Sequence, residues 1–425
     1  MNSTARSIMS QSLLPAQQAN DAFLKLHRHL LKESYRGYEF DDFLSSPLLR
    51  AVSRRNLLLQ RVFVQVGELL PINVRALLGI RKLESAKARG FFARGYLFYH
   101  LWNGDAKWLG HANECLEWLL RNPSEGFRGL SWGNAFDFAS RGGYMPAGLP
   151  TVVWTSHIAE AFELAYQITK KEEFLAALQK AAEFVLFSLP RNEDPTGCCI
   201  GYTPVTSQGA LIHNSSLLGA ATLLRSWRYF GGDLAAATAQ GAYRWSLAQM
   251  NQDGSWYYGV GQRWNWIDNF HTAYNIECLL LGHEIGGEEI VPWRSLELSV
   301  KFWLNNFFLA DGIPKYYPDQ AYPLDIQCAA QAIETASKLR IRFPEAGRVA
   351  DAVLQWTLDN MQKKNGAFRY QKRQLWTNNL ESIHWGQSTM LAALGGYLRY
   401  AKEAGVAASA KAEERVTRPF LISAL

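Results

Sequence analysis

The stretch that decides the fold begins Asp253-Gly254-Ser255-Trp256-Tyr257, continues through a polar and aromatic loop, and reaches His271 at the head of an apolar run. The same layout of glycine turn, loop and helix occurs five times after about residue 105. The other four turns are Glu125-Gly126-Phe127, Thr196-Gly197-Cys198, Asp311-Gly312-Ile313 and Asn365-Gly366-Ala367. The helices after the loops are predicted to begin near His157, His213, His271, Asp325 and His384, at intervals of 56, 58, 54 and 59 residues. A period near 57 residues with two helices per unit is typical of a helical-hairpin repeat.

The two helices of each unit differ in pattern. Those after the loops, such as 158–168, 217–224 and 389–398, are apolar nearly all round, which indicates burial on both sides. Their partners, such as 171–187 and 233–249, are amphipathic with a polar stripe. An inner ring of buried helices inside an outer ring of half-exposed helices satisfies both patterns.

A sixth pair is needed to close such a ring. Residues 87–101 read as a sixth inner helix, and 107–120 as its outer partner. Segments 21–33 and 57–70 are candidates for the closing outer helix. We therefore predict an all-α fold, an (α/α)6 toroid over residues 84–425, with residues 1–83 as a basic helical extension packed on it. An open solenoid is the alternative, disfavoured because no distinct polar capping repeat ends the chain.

Composition bounds the function. The 425 residues are 48% apolar, enough for a large core, and no apolar run approaches the roughly 20 residues of a spanning helix. Residues 1–18 lack the apolar segment of a secretory signal. The five cysteines are an odd number and include the adjacent Cys198 and Cys199, so we expect reduced thiols and a cytoplasmic protein.

The basic excess is confined to the N-terminus. Residues 1–90 contain 14 Lys and Arg against 7 Asp and Glu, so the remaining 335 residues carry a net charge of −1. Many of these cations alternate with Leu and Val at helical spacing: Arg50, Arg54, Arg55, Arg61, Arg75, Arg81, Lys82, Lys87 and Arg89. This pattern fits peripheral contact with a membrane or an assembly protein, or alternatively a solvated helix face. Without a recognised motif, nucleic acid is not an expected partner.

The ring geometry predicts where a site lies. Inner helices run in the same direction, so the loops that enter their N-termini meet at one end of the central cavity, where free backbone N–H groups favour anions. Four of the nine His occupy corresponding helix starts. The alternative for any one of them is a polar cap packed against an aromatic neighbour.

The loops at that end are rich in aromatic and basic residues. Flat rings stack on sugar rings, and guanidinium groups pair with carboxylates, so we expect carbohydrate binding. The predicted binding residues are Arg141, His157, Asn214, Arg263, Trp264, Lys315, Asp325, Arg369, Tyr370, His384 and Trp385.

Metal chemistry has little support in the sequence. Asp325, Cys328 and His384 fall on consecutive inner helices, but no paired Cys-x-x-Cys or Cys-His accompanies them. No phosphate-binding loop or nucleophile motif is present. We expect neither a metal nor another cofactor.

Two family resemblances refine the expectation. Residues 38–49 (Tyr-Glu-Phe-Asp-Asp-Phe-Leu-Ser-Ser-Pro-Leu-Leu) and 70–80 (Leu-Pro-Ile-Asn-Val-Arg-Ala-Leu-Leu-Gly-Ile) resemble the opening of polysaccharide biosynthesis proteins from bacterial capsule and exopolysaccharide loci. Over about twenty residues, Gly254-Ser255, Tyr257, Arg263-Trp264, Asp268 and His271-Thr272 are similar to the catalytic stretch of glucuronyl C5-epimerases, also toroids. That resemblance implies Tyr257 as a proton-transfer residue. The epimerases have a second Tyr where this chain has Phe270, so Tyr258 or Tyr274 would have to substitute.

The leading hypothesis is an enzyme that removes the C5 proton of a uronate in an acidic polysaccharide. Arg263, Arg369 or Lys315 would neutralise the carboxylate. Tyr257 or His271 would act as base, with His213 or Tyr316 as acid on the other face. Reprotonation then gives epimerisation, and loss of the C4 substituent gives a lyase.

Two alternatives remain open. A glycoside hydrolase needs paired carboxylates, for which Asp268 with Asp325 or Asp137 are candidates. A non-catalytic module could bind a nascent glycan for an assembly complex at the inner membrane, tethered by the basic N-terminus.

Overall fold

The computed structural model describes residues 3–54, 56–205 and 210–417, with side chains from Leu14 to Ser409 within those ranges. Arg55 of the basic set lies outside the described residues. The helices are α1 (Ser3–Lys32), α2 (Pro47–Val52), α3 (Leu57–Leu69), α4 (Ala86–Asn103), α5 (Lys107–Arg121), α6 (Val152–Thr169), α7 (Glu172–Phe187), α8 (His213–Phe230), α9 (Asp233–Ala248), α10 (Asn269–Ile290), α11 (Trp293–Asn306), α12 (Ile326–Leu339), α13 (Pro344–Asn360) and α14 (Ser388–Thr417).

Short antiparallel strands occupy the loops between helices. They are β1 (Phe138–Ser140), β2 (Gly143–Met145), β3 (Arg191–Asp194), β4 (Gly197–Ile200), β5 (Leu324–Asp325), β6 (Gln371–Lys372) and β7 (Thr377–Asn378). β1 pairs with β2, β3 pairs with β4, and β6 pairs with both β5 and β7. Since β5 leads directly into α12, this last sheet holds the entrance of α12 against the loop that precedes α14.

The inner helices form a closed ring. Helices α4, α6, α8, α10, α12 and α14 each contact the next in that order, and α14 contacts α4. The (α/α)6 toroid is therefore confirmed, and the open solenoid is not what the chain forms. In a ring of six, α4 lies opposite α10.

The outer ring is completed by the N-terminal helix. Helices α5, α7, α9, α11 and α13 each pack on the inner helix that precedes them, and α1 packs on α14 and α13. Phe23 and Leu26 of α1 are fully buried there. Of the two predicted candidates, the segment at 21–33 thus takes the closing place. The proposed division of the chain at residue 83 remains a prediction.

The backbones of two inner helices approach closely where α4 meets α14. A Cβ built on Gly95 would lie 2.8 Å from the carbonyl oxygen of Leu391, and one on Gly395 would lie 2.5 Å from the carbonyl oxygen of Gly95. Real Cβ atoms do not approach backbone this closely, so glycine is what allows the ring to close here.

A layer of buried ion pairs fills the axis of the ring below the N-terminal turns of the inner helices. Nη1 of Arg94 lies 3.1 Å from Oε2 of Glu160, and its other Nη pairs with Glu334. Arg225 pairs with Glu160, at 3.0 Å, and with Glu163. Burial raises the pKa of Glu160, but Arg94 and Arg225 outweigh it and hold that pKa well below its usual range. These pairs connect four of the inner helices and form the floor of the central cavity.

Segment 42–70 lies across the loop end of the toroid. The inner face of α3 packs on β1, with Phe63 and Val64 beside Ala139. The carbonyl of Glu68 accepts a hydrogen bond from Nδ2 of Asn378, at 3.1 Å. Helix α3 therefore covers part of the surface where the loops meet.

Some members of the basic set are buried. Nε of Arg75 lies 2.6 Å from Oδ1 of Asp42 and also donates to a backbone carbonyl of the segment that follows α1. Lys87 and Arg89 are buried on the first turn of α4. These three cations do not belong to a solvent-facing surface, because their charges are used inside the molecule.

The cysteines are buried, unpaired thiols, as predicted. Among the described helices, none is long and apolar enough to cross a membrane.

Candidate active site

A histidine–aspartate pair stands at the entrance of α10. Asp268 caps the helix: its Oδ1 accepts from the backbone N–H of His271 at 3.0 Å, and its Oδ2 lies 2.7 Å from Nδ1 of the same residue. Oδ2 also accepts from Nε1 of Trp266 at 3.0 Å. The Asp268 side chain is buried, whereas His271 is 21% exposed. Since Nδ1 is held by the carboxylate, Nε2 is the atom able to exchange a proton with a substrate.

An aromatic and cationic wall stands beside this pair. The ring of Tyr258 stacks on Trp266 at 4.5 Å between centroids and lies 4.6 Å from the His271 ring. The exposed guanidinium of Arg141 lies 5.5 Å from the centre of the Trp266 ring. Tyr257 has 45% of its surface exposed in the same loop. The structure therefore places Tyr258, rather than Tyr257, against His271.

A second group of aromatic rings joins α10 to the turn before α14. Phe270 contacts Trp385 edge-on at 5.3 Å and Tyr316 at 5.7 Å. It also meets Tyr274, one turn further along α10, at 5.9 Å. Because Phe270 occupies this central position, it orders the rings of three separate segments.

Asp325 is held at the head of α12 by three donors. They are the backbone N–H of Gln327 at 2.8 Å, Nε2 of Gln371 at 2.9 Å and Nε1 of Trp385 at 3.0 Å. Burial raises its pKa to about 7 despite these hydrogen bonds. This carboxyl can therefore carry a proton near neutral pH.

A second histidine–carboxylate pair precedes α14. His384 lies in a π-helical turn, Ile383–Gln387, whose backbone N–H at His384 donates to Oε1 of Glu39 at 2.6 Å. Nδ1 of His384 lies 2.7 Å from the same oxygen without the geometry of a hydrogen bond, and the hydroxyl of Ser382 donates to Oε2. Glu39 belongs to the segment after α1, so this segment contributes to the site.

Lys87 is buried beside this pair, on the first turn of α4. Its Nζ lies 5.1 Å from the centre of the Trp385 ring. Burial lowers its pKa to about 8, against the attraction of Glu39 and Asp41, which favours the charged form. The lysine can thus gain or lose a proton near neutral pH.

The same acidic residues form the metal-binding candidate of the described chain. Ligand atoms of Glu39, Asp41 and His384 lie within 4.8 Å of one another. Lys87 is attracted to both carboxylates and supplies a counter-charge. A lysine ammonium would compete with a cation for these oxygens, and burial raises the pKa of Asp41 well above its usual value, which favours its protonated form. The residues therefore fit a metal site poorly, and the absence of a metal remains a prediction.

His157 lies on the axis, in the second turn of α6, because that helix begins at Val152 and not at the histidine. Its ring lies between Phe91 and Tyr274, at 4.9 and 4.8 Å. Neither ring nitrogen has a hydrogen-bond partner among the described residues. Burial, with Arg94 nearby, lowers its pKa well below the usual value, so the ring is neutral. It lines a cavity of about 20 Å³ just above the ion-pair floor, room for roughly one water molecule.

His213 is placed differently from the other three. Its ring stacks on Trp245 of the outer helix α9 at 4.7 Å, and burial lowers its pKa to about 4. This packing matches the aromatic neighbour of the alternative prediction, but His213 does not cap the helix: Ile212 holds the N-cap position, and Nδ1 of His213 has no hydrogen-bond partner among the described residues. Asn214 beside it is buried, and its Oδ1 has no hydrogen-bond partner among the described residues.

Several predicted cations are engaged elsewhere. Nζ of Lys315 donates to the carbonyl of Pro318, while Arg369 donates to Asn379 at 2.9 Å and to a backbone carbonyl. Arg263 lies over the ring of Trp264, which is itself buried. The ring of Tyr370 stacks on Phe40 at 5.0 Å, and Asp137 accepts from the backbone N–H of Ala147. Arg141 lies over Trp266, the ring that donates to Asp268.

Sequence reasoning missed several residues of this region. Glu39, Lys87, Gln327 and Gln371 were not predicted, although Gln327 donates to the Tyr274 hydroxyl at 2.8 Å. Glu39 was visible only as part of a family-like segment. For Lys87 the available signal was a Lys at the start of a predicted inner helix.

No family model matches this chain, and no curated protein sequence matches it. Solved structures do. Cellobiose 2-epimerase from Bacillus thermoamylovorans B4167 is similar with a TM-score of 0.60 and 11% identity, over 75% of this chain and 88% of that protein. An unsaturated glucuronyl hydrolase specific for heparin is similar with a TM-score of 0.59 and 13% identity, over 90% of this chain and 96% of that protein. A GH76 α-mannanase from Bacteroides thetaiotaomicron is similar with a TM-score of 0.56 and 12% identity, over 75% of this chain and 87% of that protein. At such low identities the similarity establishes the (α/α)6 toroid fold.

Proposed function

We propose that this protein is a carbohydrate-active enzyme that removes the proton at C5 of a uronate residue in an acidic glycan. The Asp268–His271 pair is the observation that carries the proposal. A buried carboxylate orients a partly exposed imidazole, as general base catalysis requires. The structural neighbours support sugar chemistry, since they are named as an epimerase, a glucuronyl hydrolase and a mannanase.

His271 is a better base than the neighbouring tyrosines. Burial raises the pKa of Tyr258 and of Tyr274 well above the usual value, so both phenols stay protonated at neutral pH. They serve as hydrogen-bond donors. We therefore assign proton abstraction to Nε2 of His271 and keep Tyr257 as a residue that contacts the glycan.

The proton for the other face would come from the opposite side of the ring. Lys87 stands on α4, opposite α10, and its pKa is about 8. The C5–H bond breaks toward His271, the electron pair moves into the uronate carboxylate, and Arg141 stabilises the negative charge. Protonation from the Lys87 side inverts C5. Expulsion of the C4 substituent instead leaves a C4–C5 double bond.

The resemblance of residues 38–49 and 70–80 to capsule-locus proteins supports bacterial surface polysaccharide biosynthesis in the cytoplasm as the setting. Segment 38–49 includes Glu39, which supports His384 in the candidate site. The acidic glycan is consistent with the exposed Arg141, which lies over Trp266, a neighbour of Asp268.

A glycoside hydrolase is the second candidate. Asp325 has a pKa of about 7 and can donate a proton, while Asp268 lies at the head of the neighbouring inner helix. Glycoside hydrolysis needs two carboxyl groups across the sugar, and these two cap the neighbouring inner helices α10 and α12.

The test is incubation with uronate-containing polysaccharides in deuterated water, followed by mass spectrometry of the sugars. Deuterium at C5 is expected, and unsaturated ends would distinguish a lyase from an epimerase. His271→Asn should lower incorporation at least about a hundredfold, the usual contribution of a general base. His100→Gln, at the far end of α4, is the matched control and should leave it unchanged.

The other outcomes are equally informative. Shortened chains without deuterium, abolished by Asp325→Asn, would replace the proposal with the hydrolase. Binding of acidic glycans without label or cleavage would indicate the non-catalytic module.

A further inference from the structure

Helix α3 carries a stripe of exposed apolar side chains on the face that points away from the toroid. Leu58, Val62, Val66 and Leu69 are 70, 41, 43 and 45% exposed. Their spacing of four, four and three residues places them on one face of a helix. We call these four residues the α3 stripe.

The exposed apolar surface continues on both sides of α3. Leu48 and Val52 of α2 are 63 and 61% exposed, and Ile72 and Leu77 after α3 are 65 and 88% exposed. The Ser46 hydroxyl donates to the carbonyl of Leu78 at 2.8 Å and ties the start of α2 to this later turn. Soluble surfaces seldom concentrate apolar side chains in this way without a partner.

The opposite face of α3 is firmly packed. Val64 is buried, and Gly67 lies so close to Phe43 that a Cβ would fall 2.4 Å from its ring. Nη2 of Arg373 lies 3.9 Å from a carboxylate oxygen of Glu68. The stripe is therefore exposed on a helix whose opposite face is packed against the rest of the protein.

The charges around the stripe are nearly all positive. Arg50 and Arg54 are exposed on and after α2, and Arg61 is partly exposed on α3. Nη1 of Arg50 lies 3.8 Å from a carboxylate oxygen of Asp137, but its side chain is still 65% exposed. Between residues 47 and 69 the one acidic residue is Glu68, whose carboxylate faces the toroid loops. Apolar side chains flanked by arginines suit a surface with anionic headgroups above hydrocarbon.

We propose that α2, α3 and the turn after them form a docking surface for an anionic lipid bilayer, with α3 parallel to the membrane plane. The apolar stripe enters the headgroup region while the arginines pair with lipid phosphates. This inference does not depend on the reaction. It would place the loop end of the toroid, and hence the candidate site under α3, next to the membrane.

The experiment is vesicle flotation of the full chain at low and at physiological salt. The vesicles are phosphatidylcholine alone, or phosphatidylcholine with about one-third phosphatidylglycerol. The stripe variant is Leu58→Ser/Val62→Ser/Val66→Ser, and the charge variant is Arg50→Gln/Arg54→Gln/Arg61→Gln. The control is Leu234→Ser/Val406→Ser, which removes equally exposed apolar side chains of α9 and α14.

We expect at least about tenfold more binding to the anionic vesicles, weakened by salt. Each triple variant should bind the anionic vesicles at least about tenfold less than the wild type does, and the control should bind them as the wild type does. Equal binding to both vesicles, or anionic binding unaffected by either triple variant, would overturn the proposal. So would an absence of vesicle binding together with self-association that the stripe variant abolishes, because the surface would then join two copies of this chain.

Discussion

Replacing Arg94 by methionine should lower the free energy of unfolding by about 3 to 5 kcal/mol at neutral pH. The Arg94 side chain is 3% exposed and pairs with Glu160 and Glu334, which are 17 and 4% exposed. Removing one partner of a buried ion pair typically costs that amount, because a charge is left without compensation. The unfolding equilibrium would shift by roughly two to three and a half powers of ten.

The loss should also depend on pH. In the wild type, Arg94 and Arg225 hold the pKa of Glu160 below the unfolded value, so their stabilisation is present above about pH 4.5 and is lost as pH falls. Because Arg94 no longer lowers the pKa of Glu160 in the variant, the difference between wild type and variant should be smaller at pH 3.5 than at pH 7.5.

The assay is urea unfolding followed by tryptophan fluorescence and circular dichroism at both pH values. Arg399→Met is the control, because its partner Glu403 is 44% exposed and such pairs contribute less than about 1 kcal/mol. Replacing Arg94, Glu160 and Glu334 together by Met, Gln and Gln should recover part of the loss. A loss no greater than that of the control, or one that is the same at both pH values, would refute the buried-charge explanation.

Two further predictions concern the α4 helix. Gly95→Ala should lower the thermal midpoint, because its Cβ would lie 2.8 Å from the backbone of Leu391; Gly396→Ala, whose Cβ has 3.5 Å of room, should not. Lys87→Met should change how the free energy of unfolding depends on pH. The pKa of Lys87 is about 8 in the folded protein and 10.5 in the unfolded chain. The stability of the wild type relative to the variant should therefore rise between these pH values, by on the order of 3 kcal/mol. The exposed control Lys82→Met should show no such rise in urea unfolding. A constant difference between the wild type and Lys87→Met over the same pH values would mean that the buried amine keeps its unfolded pKa, and would contradict this prediction.

The repeat could be predicted because the same sequence pattern recurs at a regular interval. Glycine turns and all-apolar helices recur every 57 residues or so, and the predicted inner and outer helices agree with the structure to within a few residues at most of their starts. Helix α6 is the exception: Val152 precedes His157 by five residues. Thr151 caps this helix with its hydroxyl, at 3.1 Å from the N–H of Trp154, and so sets the start before the histidine.

The site was predictable only in part. That the Asp268–His271 pair would form follows from local spacing, since an N-cap Asp and a His three residues later face each other. The Glu39–His384 pair depends on two residues separated by 345 positions, and no local pattern encodes such a contact. Likewise, whether a histidine turns toward the axis or toward the outer ring, as His213 does, depends on a tryptophan of another helix.

Because α1 closes the outer ring, the last step in the folding of the toroid joins segments that are far apart in the sequence. α1 must wait for α13 and α14, and Gln362 then bonds to the carbonyl of Ala22 across 340 positions of the chain. During synthesis the early repeats can form as local hairpins, but the faces of α1 and α4 that meet α14 stay uncovered until the final hairpin emerges from the ribosome. Contacts of such long sequence separation slow folding and lengthen the time during which apolar surface is open to aggregation. This toroid is therefore a protein whose yield in cells should respond strongly to chaperone supply and to the rate of translation.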